Sequence, residues 1–197
     1  MIGTARNPAK ANELKATGAR VEQLDVVDAA SVASLAERLE GVSIDILINN
    51  AGMLDRSDSS MDTLDFDMME RTFQVNSLGP LRVTQALLPN LKGGDRKTVV
   101  SITSRLGSIE LSNGGLYSYG TSKTALNQIN KIMSAELAPG GFTCVVMHPG
   151  WVRTDMGGEN ATLSKTESIS NMVKVIEGLT PESTGKFFNY DGTSLPW

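Results

Sequence analysis

Tyr119 and Lys123 stand four residues apart in the run Tyr119-Gly120-Thr121-Ser122-Lys123, a spacing that puts both side chains on one face of a helix. A phenol beside an ammonium is suited to proton transfer. A free tyrosine titrates near pH 10, and a neighbouring cation stabilises its phenolate. The pair alone carries little weight, because a chain of this tyrosine and lysine content holds such a spacing by chance roughly one time in seven. Its weight comes from what surrounds it. Asn49-Asn50-Ala51-Gly52 follows one apolar run, where small residues let backbone approach a flat ligand. Asn76 falls in a helical stretch, Ser104 follows the next apolar run, and Tyr119 and Lys123 then open a helix. After a further apolar run comes His148-Pro149-Gly150-Trp151-Val152-Arg153-Thr154-Asp155.

The elements that must position these residues alternate. Strands are expected at Ile2 to Ala5, Arg20 to Asp25, Ile44 to Asn49, Thr98 to Thr103, Phe142 to His148 and Lys186 to Phe188. Several are continuously apolar, as in Cys144-Val145-Val146-Met147, which points to a parallel sheet covered on both faces. Between them lie helix signals. Asn7-Pro8 starts one helix and Gly18 stops it; Asp28 caps a second, with Val32, Leu35, Ala36 and Leu39 on one stripe and Gly41 at its end. A helical stretch from about Asp65 to Leu88 is expected to bend at Gly79-Pro80, and another runs from about Tyr117 to Leu137. Strands alternating with helices imply a doubly wound α/β sheet in three α/β/α layers, with ligands at the carboxyl ends of the strands. Apart from Asn76, the residues singled out above lie in the segments that follow strands.

Composition narrows the class. The chain has 197 residues, 40% hydrophobic and 20% charged, a net charge of −4 and one cysteine. That length fits a single domain over residues 1–197, able to bury about 70% of its unfolded surface. One cysteine builds neither a disulfide framework nor a cysteine-based zinc site, so an intracellular protein is expected. No basic block suits nucleic acid, and no run of about 18 apolar residues suits a membrane. A soluble cytoplasmic protein is the default.

Taken together, these motifs resemble those of the short-chain dehydrogenase/reductase family, along the whole chain. Thr4-Ala5-Arg6-Asn7-Pro8, Ser104-Arg105-Leu106-Gly107-Ser108 and the ending Gly185-Lys186-Phe187-Phe188-Asn189-Tyr190-Asp191-Gly192-Thr193-Ser194-Leu195-Pro196-Trp197 resemble its C-factor-like and sniffer-type carbonyl reductase branch. The resemblance implies a Rossmann-type fold and hydride transfer between a nicotinamide and a carbonyl or alcohol carbon. It makes Tyr119 the acid, Lys123 the cation that aids it and holds the nicotinamide ribose, and Ser104 a donor to the substrate oxygen. Asn76 completes the set by holding a water in a proton relay. By the same resemblance Asn50, Ala51 and Gly52 would face the cofactor, Asp25 and Val26 the adenine, and Pro149, Gly150, Val152 and Thr154 the nicotinamide side. Arg6, where an acidic residue would select a ribose 2′-hydroxyl, favours NADP(H) over NAD(H). The helices near Val75 to Leu88 and Tyr117 to Leu137 could pair in a homodimer.

The residues also have plainer uses. Against these roles stand packing for Tyr119, solvation for Lys123 and Arg6, a helix cap or bend for Asn76 and a satisfied turn for Ser104, with Ser101 and Ser108 as competing serines. His148 reads as a strand-end packing residue and Cys144 as buried and inert. The separation of Ser104 from Tyr119 is longer than the family's usual one, which suggests a small insertion within Ile109 to Gly115. Substrate choice is expected from Met53 to Asp62, Ile109 to Leu116 and a lid at Thr154 to Ser170.

One departure is large. The family opens with a strand, a glycine-rich phosphate loop and a helix, and here Ile2 to Ala5 corresponds to the second strand. The missing strand is the central one, between the strands at Ile2 and Ile44. A fragment of a longer chain, or a start assigned too late, is preferred to a genuinely shortened relative. Two functions follow: an NADP(H)-dependent carbonyl reductase, or a non-catalytic binding or regulatory relative that has lost strong dinucleotide binding. An epimerase or dehydratase is disfavoured by the short stretch after Pro149-Gly150.

Overall fold

A computed structural model describes residues 1–197. Its strands are β1 (Ile2–Ala5), β2 (Arg20–Gln23), β3 (Ile46–Asn49), β4 (Thr98–Ile102), β5 (Thr143–His148) and β6 (Phe187–Asn189). The helices are α1 (Asn12–Ala16), α2 (Ala29–Arg38), α3 (Phe66–Phe73), α4 (Gly79–Ala86), α5 (Leu88–Lys92), α6 (Tyr117–Leu137) and α7 (Lys165–Glu177). All strand pairs are parallel. No helix is long and apolar enough to cross a membrane.

The continuous apolar runs have a direct cause, since successive side chains of β4 and β5 enter different cores. Val99 and Cys144 pack with Leu91, Met133 and Phe142 beneath α5 and α6. Val100, Val145 and Met147 pack on the other side with Ile176 of α7. Alternation thus buries both faces, and three layers result. Leu24, Val32, Leu35, Leu39, Val83 and Leu87 form a third cluster that joins α2 to α4.

The strands form two sheets, β1-β2 and β3-β4-β5-β6. Ile2 of β1 and Leu47 of β3 pack on the same α2–α4 cluster, yet the two strands share no hydrogen bonds. The described sheet is therefore divided between β1 and β3, at the place where the resemblance puts a central strand. The two parts do not close on each other.

Local differences from the sequence reading have physical reasons. The stretch from Asp65 does not simply bend at Gly79-Pro80. It changes winding earlier, in a five-residue π-turn over Gln74–Leu78, where the Gly79 N–H reaches back to the Gln74 carbonyl. Pro80 has no N–H to give the Asn76 carbonyl, its partner in a regular helix, so the ladder is disturbed upstream of the proline. The segment expected as a lid, Thr154 to Ser170, is helical from Lys165: Ser164 accepts a hydrogen bond from the Glu167 N–H (3.1 Å) and starts α7. Arg20 to Asp25 ends as a strand at Gln23, because the Asp25 carboxylate accepts from the Val27 N–H (3.1 Å) and turns the chain.

Candidate active site

At the carboxyl ends of β3, β4 and β5 lies a cavity of about 360 Å³ lined by Asn50, Gly52, Ile102, Thr103, Tyr119, Lys123, Pro149, Thr154, Asp155, Met156 and Lys165. Of the residues expected to act, it unites Asn50, Gly52, Tyr119, Lys123, Pro149 and Thr154. Ala51, Gly150 and Val152 are chain neighbours of these, and Ser104 and Asn76 stand just behind the wall. Arg6, Asp25 and Val26 follow β1 and β2 in the separate two-stranded sheet and do not line this cavity.

Tyr119 is the third residue of α6 and is buried. Burial pushes its phenol above the ordinary value; the Ser104 hydroxyl and the Arg56 charge act the other way. Ser104 has a defined polarity. Its Oγ accepts from the Leu106 N–H (3.2 Å) at the start of a short turn, which leaves its own proton free to donate. Gly107 lets that turn sit against α6, since a Cβ there would lie 2.8 Å from the Lys123 carbonyl carbon. The rival serines are otherwise engaged. Ser101 is buried beside Asn49, whose Nδ2 lies 3.5 Å from its Oγ. Ser108 donates to the Trp197 main-chain oxygen (3.3 Å) and accepts from the Leu111 N–H (3.2 Å).

Lys123 is only 4% exposed. Its Nζ donates to the Ile102 carbonyl at the end of β4 (2.8 Å) and lies 5.8 Å from the centroid of the Tyr119 ring. Burial lowers its pKa to about 8. An ammonium carries three donors, so two remain after Ile102. They have room on the Gly52 side, where a Cβ would stand 3.6 Å from Nζ and 3.5 Å from Asn76 Oδ1.

Asn76 is fully buried, and its amide is spent on structure. Oδ1 accepts from the Met53 N–H (2.8 Å), while Nδ2 donates to the Met53 carbonyl (2.9 Å) and to Ser122 Oγ (3.0 Å). Ser122 in turn donates to the Tyr119 carbonyl (2.8 Å). The π-turn, Met53 just after Gly52 and α6 are thus tied together behind the cavity. Asn49, not Asn50, does the bracing between elements, donating from Nδ2 to Thr84 of α4 (3.1 Å).

Several residues of this arrangement went unnoticed in the sequence. Thr103 donates to Asn127 Oδ1 (2.7 Å), and Asn127 donates to the Gly107 carbonyl (3.1 Å), fixing the turn after β4. Arg56 donates to the Met156 carbonyl (2.9 Å), linking the loop after Gly52 to the lid. Of these, only Asn127 carried a signal, as a polar residue four positions beyond Lys123 on its helix face. His148 is largely buried, with Nδ1 unpartnered and a pKa lowered to about 4, first by burial and then by Arg105. It is neutral at physiological pH.

Known proteins resemble this chain in sequence and fold. The sequence profile of the family described as short chain dehydrogenase matches residues 2–165. The protein named C-signal of Myxococcus xanthus is 49% identical over 155 residues, which cover 78% of this chain and 93% of that protein. A 1-hydroxy-2-glutathionyl-2-methyl-3-butene dehydrogenase of Rhodococcus sp. (strain AD45) is 36% identical over 193 residues, 94% of this chain and 84% of that one. The carbonyl reductase Sniffer of D. melanogaster superposes with a TM-score of 0.94 at 33% identity, over 98% of this chain and 86% of its own. The NADPH-bound carbonyl reductase from chicken fatty liver superposes at 0.89 with 32% identity, again over 98% and 86%. With its parallel α/β core and a profile match over most of its length, the chain belongs to the short-chain dehydrogenase family.

Proposed function

We propose that the cavity carries out hydride transfer between NADP(H) and a carbonyl or alcohol carbon, with Tyr119 as the acid and base. One observation carries this reading: Tyr119 and Lys123 open into one cavity with Asn50, Gly52, Pro149 and Thr154, while Ser104 faces the Tyr119 phenol with a free proton. The space beside Gly52 and the two unspent donors of Lys123 fit the nicotinamide ribose. Arg6 is exposed and forms no ion pair, which suits it to a 2′-phosphate. Relatives crystallised with NADPH or NADP support the same cofactor.

The bound dinucleotide supplies the hydride. Ser104 donates a hydrogen bond to the substrate oxygen and holds it beside Tyr119. As negative charge develops on that oxygen, Tyr119 gives up its phenolic proton, which its burial has kept in place. The Lys123 ammonium stabilises the phenolate until a proton returns. Because the Asn76 side chain is committed to Met53 and Ser122, any water that it holds for this relay must use its main-chain carbonyl.

The alternative expected from the sequence is a binding or regulatory relative with weak dinucleotide affinity. NADPH oxidation with a panel of aldehydes, ketones and quinones separates the two. The first reading expects turnover that Tyr119→Phe lowers by about 10² to 10⁴. The second expects none, together with weak NADP(H) binding by calorimetry.

A further inference from the structure

Asp58 is the chain's only fully buried carboxylate, and nothing in the proposed reaction uses it. It lies in the loop after Gly52, 60 residues before the helix that it touches. The Ser118 N–H donates to its Oδ2, and the Tyr117 N–H to its main-chain carbonyl (3.4 Å). These are the first two N–H groups of α6, which a helix cannot satisfy internally.

The sequence next to α6 gives no substitute. Leu116, the residue before the helix, has φ 51° and makes no capping hydrogen bond, and Gly114 and Gly115 before it have φ 91° and 75°. A leucine in the left-handed region is strained and persists only where its surroundings hold it. The loop that delivers Asp58 is itself braced. The Ser57 N–H and hydroxyl both donate to Asp55, and the Ser59 hydroxyl donates to the Arg56 carbonyl (2.8 Å). Asp58 Oδ1 and Ser118 Oγ are buried without a protein partner.

We propose that Asp58 is a positioning residue for Tyr119: it caps α6 from the substrate-side loop and fixes the first turn on which the phenol is carried. This rests on the reading of Tyr119 as the acid. The juxtaposition also makes the placement of the acid depend on the order of the loop next to the substrate.

The test compares Asp58→Asn, which keeps a side-chain oxygen as acceptor, with Asp58→Ala, which does not. Hydrogen exchange over residues 117–123 is expected to lose about tenfold of its protection in Asp58→Ala and to stay within about threefold of wild type in Asp58→Asn. In carbonyl reduction, kcat of Asp58→Ala falls about tenfold while KM stays within about threefold, and Asp58→Asn recovers kcat. Unchanged exchange in Asp58→Ala overturns the proposal. So does altered exchange with unchanged kcat, or an equal loss in both variants. If the wild type reduces no carbonyl, the reductase reading fails, and the exchange comparison alone decides whether Asp58 caps α6. Should Asp58→Ala not fold, Asp58→Ser stands in, with a shorter acceptor and an intermediate loss of protection.

Discussion

Lys123 Nζ is bonded to the Ile102 carbonyl at 2.8 Å, so the ammonium is fixed to the end of β4 from inside the protein. Its position is costly. The folded pKa is about 8 against an ordinary 10.5, because burial removes solvent from the charge. The native state therefore holds fewer protons than the unfolded chain between those values, and this group's contribution to stability rises as pH rises from about 8 to 10.5. Below pH 8 its penalty is fully present, about 3 kcal/mol. Lys123→Met should abolish turnover yet raise stability at pH 7 by roughly 1–2 kcal/mol after the lost Ile102 hydrogen bond is counted. Urea unfolding at pH 7 and pH 10 checks this, since the gain must shrink at the higher pH.

The same titration shapes catalysis. The proposed reduction needs Lys123 charged and Tyr119 protonated; burial pushes the phenol above its ordinary range, so Lys123 is the group that titrates first as pH rises. The kcat/KM of carbonyl reduction, which reports the free enzyme, is expected to fall as pH rises through about 8. A flat profile up to pH 10 would show that the Lys123 charge is not needed.

Three serines compete near the end of β4, and their hydrogen bonds distinguish them. Ser104→Ala removes the one hydroxyl with a free donor facing Tyr119, and should lower kcat by about 10² to 10³. Ser108→Ala loses a tie to the Trp197 main chain and should lower melting temperature more than kcat. Steady-state kinetics with thermal unfolding on the two variants gives the answer, and a reversed order would reassign the donor.

What could be read from sequence followed the distance over which each cause acts. The Cys144–Met147 run showed a doubly covered strand because burial on both faces is written into consecutive residues. The span of α6, expected from about Tyr117 to Leu137, is legible at both ends. Tyr119 and Lys123 were legible through spacing within one helix. The Asp58–Ser118 contact was not, since a cap supplied 60 residues away leaves no local pattern. The π-turn is not legible, because Gly79-Pro80 marks the disturbance but not its upstream position. The start of α7 is written in Ser164-Lys165-Thr166-Glu167, a capping pattern that cuts short the segment expected as a lid.

The divided sheet has a consequence for the 197-residue chain on its own. β1 pairs only with β2, and β3 only with β4, so each presents one unpaired edge. Ile46 and Ile48 point to the α7 side of β3; Ile46 packs into that core, whereas Ile48 is 48% exposed. An apolar side chain beside an open parallel edge is a template for pairing with another chain. The chain is therefore expected to self-associate with rising concentration and to bind an apolar dye in its folded state. Ile48→Lys places a charge where a docking strand would bring apolar surface, and should shift the population toward monomer. Because Ile48 is half exposed, the substitution should change stability by less than about 1 kcal/mol. Light scattering coupled to size exclusion, run at several concentrations for both chains, measures the shift. Equal association in the two would move the contact away from β3.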